Sequence, residues 1–131
     1  MRLCTSKGGI RYDSSTSYPY RVIVEVNPEI ARFARSLIPL YLPFNYPKYP
    51  PHISVVRKEI LNLEAWKKLP FVDEEVEFSY SPEVQMDETY YWLRVFCPKL
   101  SELRVALGLS PCRFMAPEGE AVFHITIANR K

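Results

Sequence analysis

Apolar and polar positions along the chain predict most of its elements. Residues 20–26, Tyr20-Arg21-Val22-Ile23-Val24-Glu25-Val26, are rich in β-branched side chains and alternate imperfectly, which predicts a strand. Asn27-Pro28-Glu29 then starts a helix, with Asn at the N-cap, Pro at the first helical position and an acid in the first turn. Ile30, Phe33, Ala34, Leu37 and Ile38 continue at helical spacing until Pro39 ends the helix. Residues 40–51 crowd Pro and aromatic side chains together and predict an ordered loop. His52-Ile53-Ser54-Val55-Val56-Arg57 predicts a short strand, and residues 61–69 a small helix with Trp66 on its apolar side. Residues 74–80 alternate acids with apolar residues, as a half-exposed strand does. A further strand is predicted at 83–86, with Asp87-Glu88 as its turn, and a strong one at 90–97. Pro98 opens a second helix with Leu100, Leu103, Ala106 and Leu107 on one face and Gly108 as its C-cap. Residues 121–128 form the last predicted strand.

Ahead of these, residues 1–17 are polar and rich in Ser, Thr and Gly. They read as a flexible N-terminal segment, with Ser14-Ser15-Thr16-Ser17 as a loop or frayed end, before a single domain over 18–131.

The element order repeats. Strand, Pro-initiated helix, loop and His-bearing strand occur twice, with 32 positions from Tyr20 to His52 and 33 from Tyr91 to His124. Two such halves can place one equivalent group each at a shared site.

Composition narrows the function classes. At 131 residues the chain suits one domain with a core of its own, without metal or disulfide staples. A net charge of +2 is too small for a protein that coats nucleic acid, and fits a small anionic substrate or a short stretch of RNA. Cys4, Cys97 and Cys112 are odd in number and irregular in spacing, which argues for a reducing compartment and offers no Cys-x-x-Cys zinc pattern. The first residues carry no apolar stretch of the signal-peptide kind, and no apolar run approaches the ~20 residues of a membrane span. The expected location is the cytoplasm, and the expected state a monomer without membrane contact.

Chemistry concentrates at the two histidines, the only ones in the chain. They stand in His52-Ile53-Ser54 and His124-Ile125-Thr126. Ser and Thr make up 14 of the 131 residues, so a hydroxyl two places after both by chance is about a 1 in 90 event. On a strand, residues i and i+2 share a face, so each imidazole stands beside a hydroxyl while Ile53 and Val55, or Ile125 and Ile127, take the other face. Two such strands side by side would present two imidazoles and two hydroxyls to one cleft. Phosphodiester cleavage needs that set. One imidazole takes a proton from the attacking oxygen and the other gives one to the leaving oxygen, both near neutral pH. Ser54 and Thr126 can donate to non-bridging phosphate oxygens. With two His, no third soft ligand and no tight carboxylate cluster, no metal and no cofactor is expected.

These paired motifs, each on a strand closing a β-α-β half, resemble the 2H phosphoesterase superfamily, which includes RNA ligase-like cyclic phosphodiesterases. The resemblance covers about residues 20–131 and is greatest to the compact phage and bacterial branches. It implies an α+β fold: a single bilobal domain of two β-α-β-type halves, with antiparallel sheets flanking a central groove. It also implies that His52 and His124 are catalytic and that Ser54 and Thr126 bind phosphate. Ser54 stands where many members have Thr, and either keeps the hydroxyl. The implied reaction is metal-independent hydrolysis of a cyclic or 2′-5′-type phosphodiester of a nucleotide or RNA end.

Further substrate contacts are expected from Tyr46, Lys48 and Tyr49, on the loop before His52, where an aromatic ring could stack on a base. Arg113 precedes the last strand, and Arg130 and Lys131 follow the second motif. Strand parity puts Arg57 opposite His52 unless a bulge intervenes. Two rival readings stand beside the enzyme: a nucleotide or RNA-end binding module without turnover, and a purely structural interaction domain.

Overall fold

The computed structural model describes residues 2–12 and 18–130. The expected loop at Ser14-Ser15-Thr16-Ser17 lies outside the described residues, as does Lys131. Cys4–Tyr12 forms a nine-residue strand, β1. It pairs antiparallel with β2 (Arg21–Glu25) on one side and with β4 (Glu75–Tyr80) on the other. Residues 4–12 are therefore part of the folded domain, and the reading of 1–17 as a flexible N-terminal segment is corrected there. The run Lys7-Gly8-Gly9 carries no β-branched side chain, so the strand is invisible to alternation. Gly8 is needed for a different reason: a Cβ there would collide with the Glu25 carbonyl oxygen and lie 2.6 Å from Val24 Cγ1. Glycine inside a strand marks this close approach.

The remaining elements largely follow the pattern of the chain. Asn27 caps α1 (Pro28–Arg35) by accepting from the Glu29 N–H. The helix ends at Arg35, short of Pro39. His52–Arg57 is β3, and Asn62 caps the short α2 (Leu63–Lys67), which buries Trp66 between Tyr12 and Tyr20. Gln85–Met86 is β5, Tyr90–Phe96 is β6 and Pro98–Ala106 is α3, followed by Gly108 at φ +83°. Phe114–Met115 is β7 and Ala121–Asn129 is β8.

The strands make one closed antiparallel barrel of six, in the ring order β1-β2-β3-β8-β6-β4, with β5 beside β6 and β7 beside β8. This overturns the expected two-lobed α+β domain with a groove between two sheets. The internal repeat is present but longer than β-α-β. Each half runs strand-strand-helix-strand, as β1-β2-α1-β3 and β4-β6-α3-β8. The halves join twice, through β3–β8 and through β1–β4, so no open lobe remains. The extra strand in each half, hidden at β1 and only half-exposed at β4, is what closes the ring.

One core holds the molecule together. Ile10, Val24, Ile53, Leu93, Ile125 and Ile127 bury completely, joined by Ile30 and Ala34 of α1 and Leu100 and Leu103 of α3. Among the described residues no helix is long and apolar enough to cross a membrane.

Candidate active site

β3 and β8 pair with Ile53 opposite Ile125, and both side chains are buried. Antiparallel register then sets His52 across from Thr126 and Ser54 across from His124, all four on the other face. The imidazoles are diagonal neighbours, a relation that places their Cα atoms about 7–8 Å apart. β6 extends the array, because Trp92 pairs with Thr126 and Arg94 with His124. Two rows therefore cross the sheet: Arg94, His124, Ser54 and Trp92, Thr126, His52.

A bulge adds Arg57 to this face. The β2–β3 register runs Val22↔Val56 and then Ile23↔Ser54, leaving Val55 unpaired. Val55 and Val56 are both buried, so parity flips and Arg57 returns to the side of His52. The unpaired residue is held from below. Arg104 of α3 is 0% exposed, and its Nη1 donates to the Val55 carbonyl at 2.7 Å. The same guanidinium meets both Glu59 carboxylate oxygens at 2.8 Å, and its Nε donates to the Ser110 carbonyl at 2.8 Å. Burial would raise the Glu59 pKa, but the hydrogen bonds and charge of Arg104 hold it below the usual range. One buried cation thus ties the bulge to the loop that leads into Arg113 and Phe114.

The two histidines sit in different surroundings. His52 Nδ1 lies 2.9 Å from the Pro50 carbonyl. A carbonyl only accepts, so this bond puts the proton on Nδ1 and leaves the Nε2 lone pair free in the neutral ring. His124 lies between Trp92, with ring centroids 4.0 Å apart, and Phe114, stacked at 5.1 Å and 22°. Burial lowers its pKa, the Asp87 carboxylate opposes that, and Arg113 adds to the lowering. Asp87 itself is held ionised by the backbone N–H groups of Tyr90 (2.7 Å) and Thr89 (2.8 Å).

All four motif residues line one cavity of about 650 Å³. A second, of about 520 Å³, adjoins it and shares His52, Ser54, Arg57, Tyr90 and Thr126. Together the two are lined by Arg21, Lys48, Arg57, Lys58, Arg94 and Arg113 against a single acid, Asp87. Among the described residues none of these six cations forms an ion pair, as is also true of Arg2, Arg35, Lys68 and Arg130 elsewhere. The lining therefore carries six cations and one acid.

Of the residues expected at the site, His52, Ser54, His124, Thr126, Arg57 and Arg113 line the first cavity and Lys48 and Tyr49 the second. Tyr46 does not join them. Arg35 is fixed by its bond to the Ile127 carbonyl and sits 4.9 Å from the Tyr46 ring centre, which holds that ring on another surface. Arg130 donates to the Asp87 carbonyl at 2.8 Å and braces the β5–β6 turn. The sequence motifs do not point to Trp92, Arg94, Tyr90, Phe114, Asp87, Arg21 and Lys58, which also line the two cavities. The alternation of β6 does set Tyr90, Trp92 and Arg94 on one face, but only its pairing with β8 shows that this is the histidine face.

Among the described residues no group of three or more His, Cys, Asp or Glu is placed to hold a metal ion. No protein-family model matches the chain, and neither a curated protein nor a solved structure does.

Proposed function

We propose that this protein is a metal-independent phosphodiesterase that hydrolyses a cyclic or 2′-5′-type phosphodiester of a nucleotide or RNA end. The observation that carries the reading is the β3–β8 register, which sets both imidazoles and both hydroxyls on one face of one groove. His52, with its Nε2 lone pair free, takes the proton from the attacking water. His124 gives a proton to the leaving ribose oxygen. Its weakened basicity makes the imidazolium a stronger acid, and the anionic substrate supplies the charge that draws the proton on. Ser54, Thr126 and Arg57 face the non-bridging oxygens, where negative charge grows. Kinship with the 2H phosphoesterase superfamily is part of this proposal and rests on the two His-x-hydroxyl motifs.

The test is turnover of a panel: 2′,3′-cyclic nucleotides, cyclic-phosphate RNA ends, 2′-5′-linked oligoadenylate, cyclic dinucleotides and ADP-ribose cyclic phosphate. Wild type is expected to turn over at least one of these, and His52→Ala and His124→Ala each to lose about 10²- to 10⁴-fold in rate. Full rate in both variants overturns the assignment. The clamping of His124 between two aromatic rings also suits a binding module without turnover, which predicts saturable binding of a panel member with no product.

A further inference from the structure

The two cavities share His52, Ser54, Arg57, Tyr90 and Thr126, and each continues along residues the other lacks: Trp92, Arg113 and Phe114 in the first, Arg21, Lys48 and Tyr49 in the second. Each has an exposed aromatic ring held in place. On one side Phe114, 52% exposed, is fixed by the pairing of β7 with β8 and by stacking on His124. On the other Tyr49, 57% exposed, has the Arg21 guanidinium 5.6 Å and the Lys48 ammonium 5.7 Å from its ring centre. Resting on the phosphodiesterase reading, we infer that the ligand carries a base on both sides of its phosphodiester, with Phe114 and Tyr49 as the two stacking platforms. The substrate is then of dinucleotide size.

Three features support this. Both cavities fall in the usual range of small-molecule sites, so each can take a nucleoside of its own. Each side also has its own cations, Arg113 over the Phe114 ring and Arg21 and Lys48 over the Tyr49 ring, which suit an anionic ligand reaching both arms. Finally, a mononucleotide whose phosphate sits at the shared residues would fill one arm and leave the other arm's ring and cations in water.

The experiment measures binding of non-hydrolysable adenylyl-adenosine analogues, 2′-5′ and 3′-5′ linked with a methylene in place of a bridging oxygen. They are compared with AMP and adenosine 2′,3′-cyclic phosphate on wild type, Tyr49→Ala and Phe114→Ala. Both substitutions are at exposed rings, and thermal melts check that the variants stay folded. One dinucleotide analogue should bind wild type at least tenfold more tightly than either mononucleotide. Each substitution should weaken it by about five- to a hundredfold, the range of one stacked base. Equal affinity for mono- and dinucleotides, or a dinucleotide indifferent to either substitution, overturns the inference. Tight dinucleotide binding that depends on both rings, together with no turnover of any panel member, overturns the enzymatic reading and leaves the two-platform site standing. No binding of any probe overturns the inference, and the enzymatic reading falls with it only if no panel member is turned over.

Discussion

His124 makes stability depend on pH, in a way its surroundings define. Burial between Trp92 and Phe114 penalises the imidazolium, so the folded pKa lies below the ordinary 6.5. Between those two values the unfolded chain holds more protons than the folded one, so stability rises with pH in that window. The contribution is complete above pH 6.5 and is lost as pH falls towards the folded value. His124→Gln should therefore flatten the profile as pH falls below 6.5, seen as a smaller change in denaturant midpoint than in wild type. The carboxylate of Asp87 is depressed instead, so its share is lost only below its ordinary 3.8 and leaves this window undisturbed. At this scale the chain was readily legible: the hydroxyl two places after each histidine fixed which side chains share a face. Arg57 was not, because its side depends on the bulge at Val55, whose carbonyl accepts from an arginine 49 positions away.

Elements were legible where alternation or capping marked them, and hidden where backbone contact decided. The caps at Asn27 and Asn62 and the glycine after α3 are local chemistry. β1 is not, since Gly8 is there for the approach of β2 rather than for its own propensity. Gly8→Val should thus destabilise by about 1–3 kcal/mol, the usual cost of forcing atoms into packed space, measured by chemical denaturation. Gly119, whose added Cβ meets nothing within 4 Å, is the contrasting position, although its φ of +89° strains any other residue. Arg104 links two elements. Arg104→Met leaves Glu59 and the Val55 carbonyl without their cation, and should cost about 3 kcal/mol. Adding Glu59→Leu removes the stranded charge and should recover most of that loss. If the single and double variants melt alike, the stranded Glu59 charge is not what the Arg104 substitution costs.

Ring closure is a property of the whole chain that no local pattern records. Each half supplies three strands, and the sheet closes only because β1 bonds on both edges, to β2 through Gly9–Tyr12 and to β4 through Cys4–Gly9. Without β1 the ring opens between β2 and β4, and two strand edges lose their partners. The core loses Ile10, and Trp66 loses the Tyr12 ring at 5.0 Å. β2 is also the strand that frames the bulge of β3, so the damage reaches Arg57 and the histidine face. A flexible N-terminal segment could be removed without effect. Deletion of residues 1–12 should instead abolish the cooperative thermal transition and leave a chain that aggregates through its exposed edges. Circular dichroism melts and light scattering at equal concentration decide between the two. A truncated chain that still melts cooperatively at the wild-type temperature would show that the β2-β3-β8-β6 segment, which carries the whole His-hydroxyl array, is held by α1 and α3 alone and needs no closed ring.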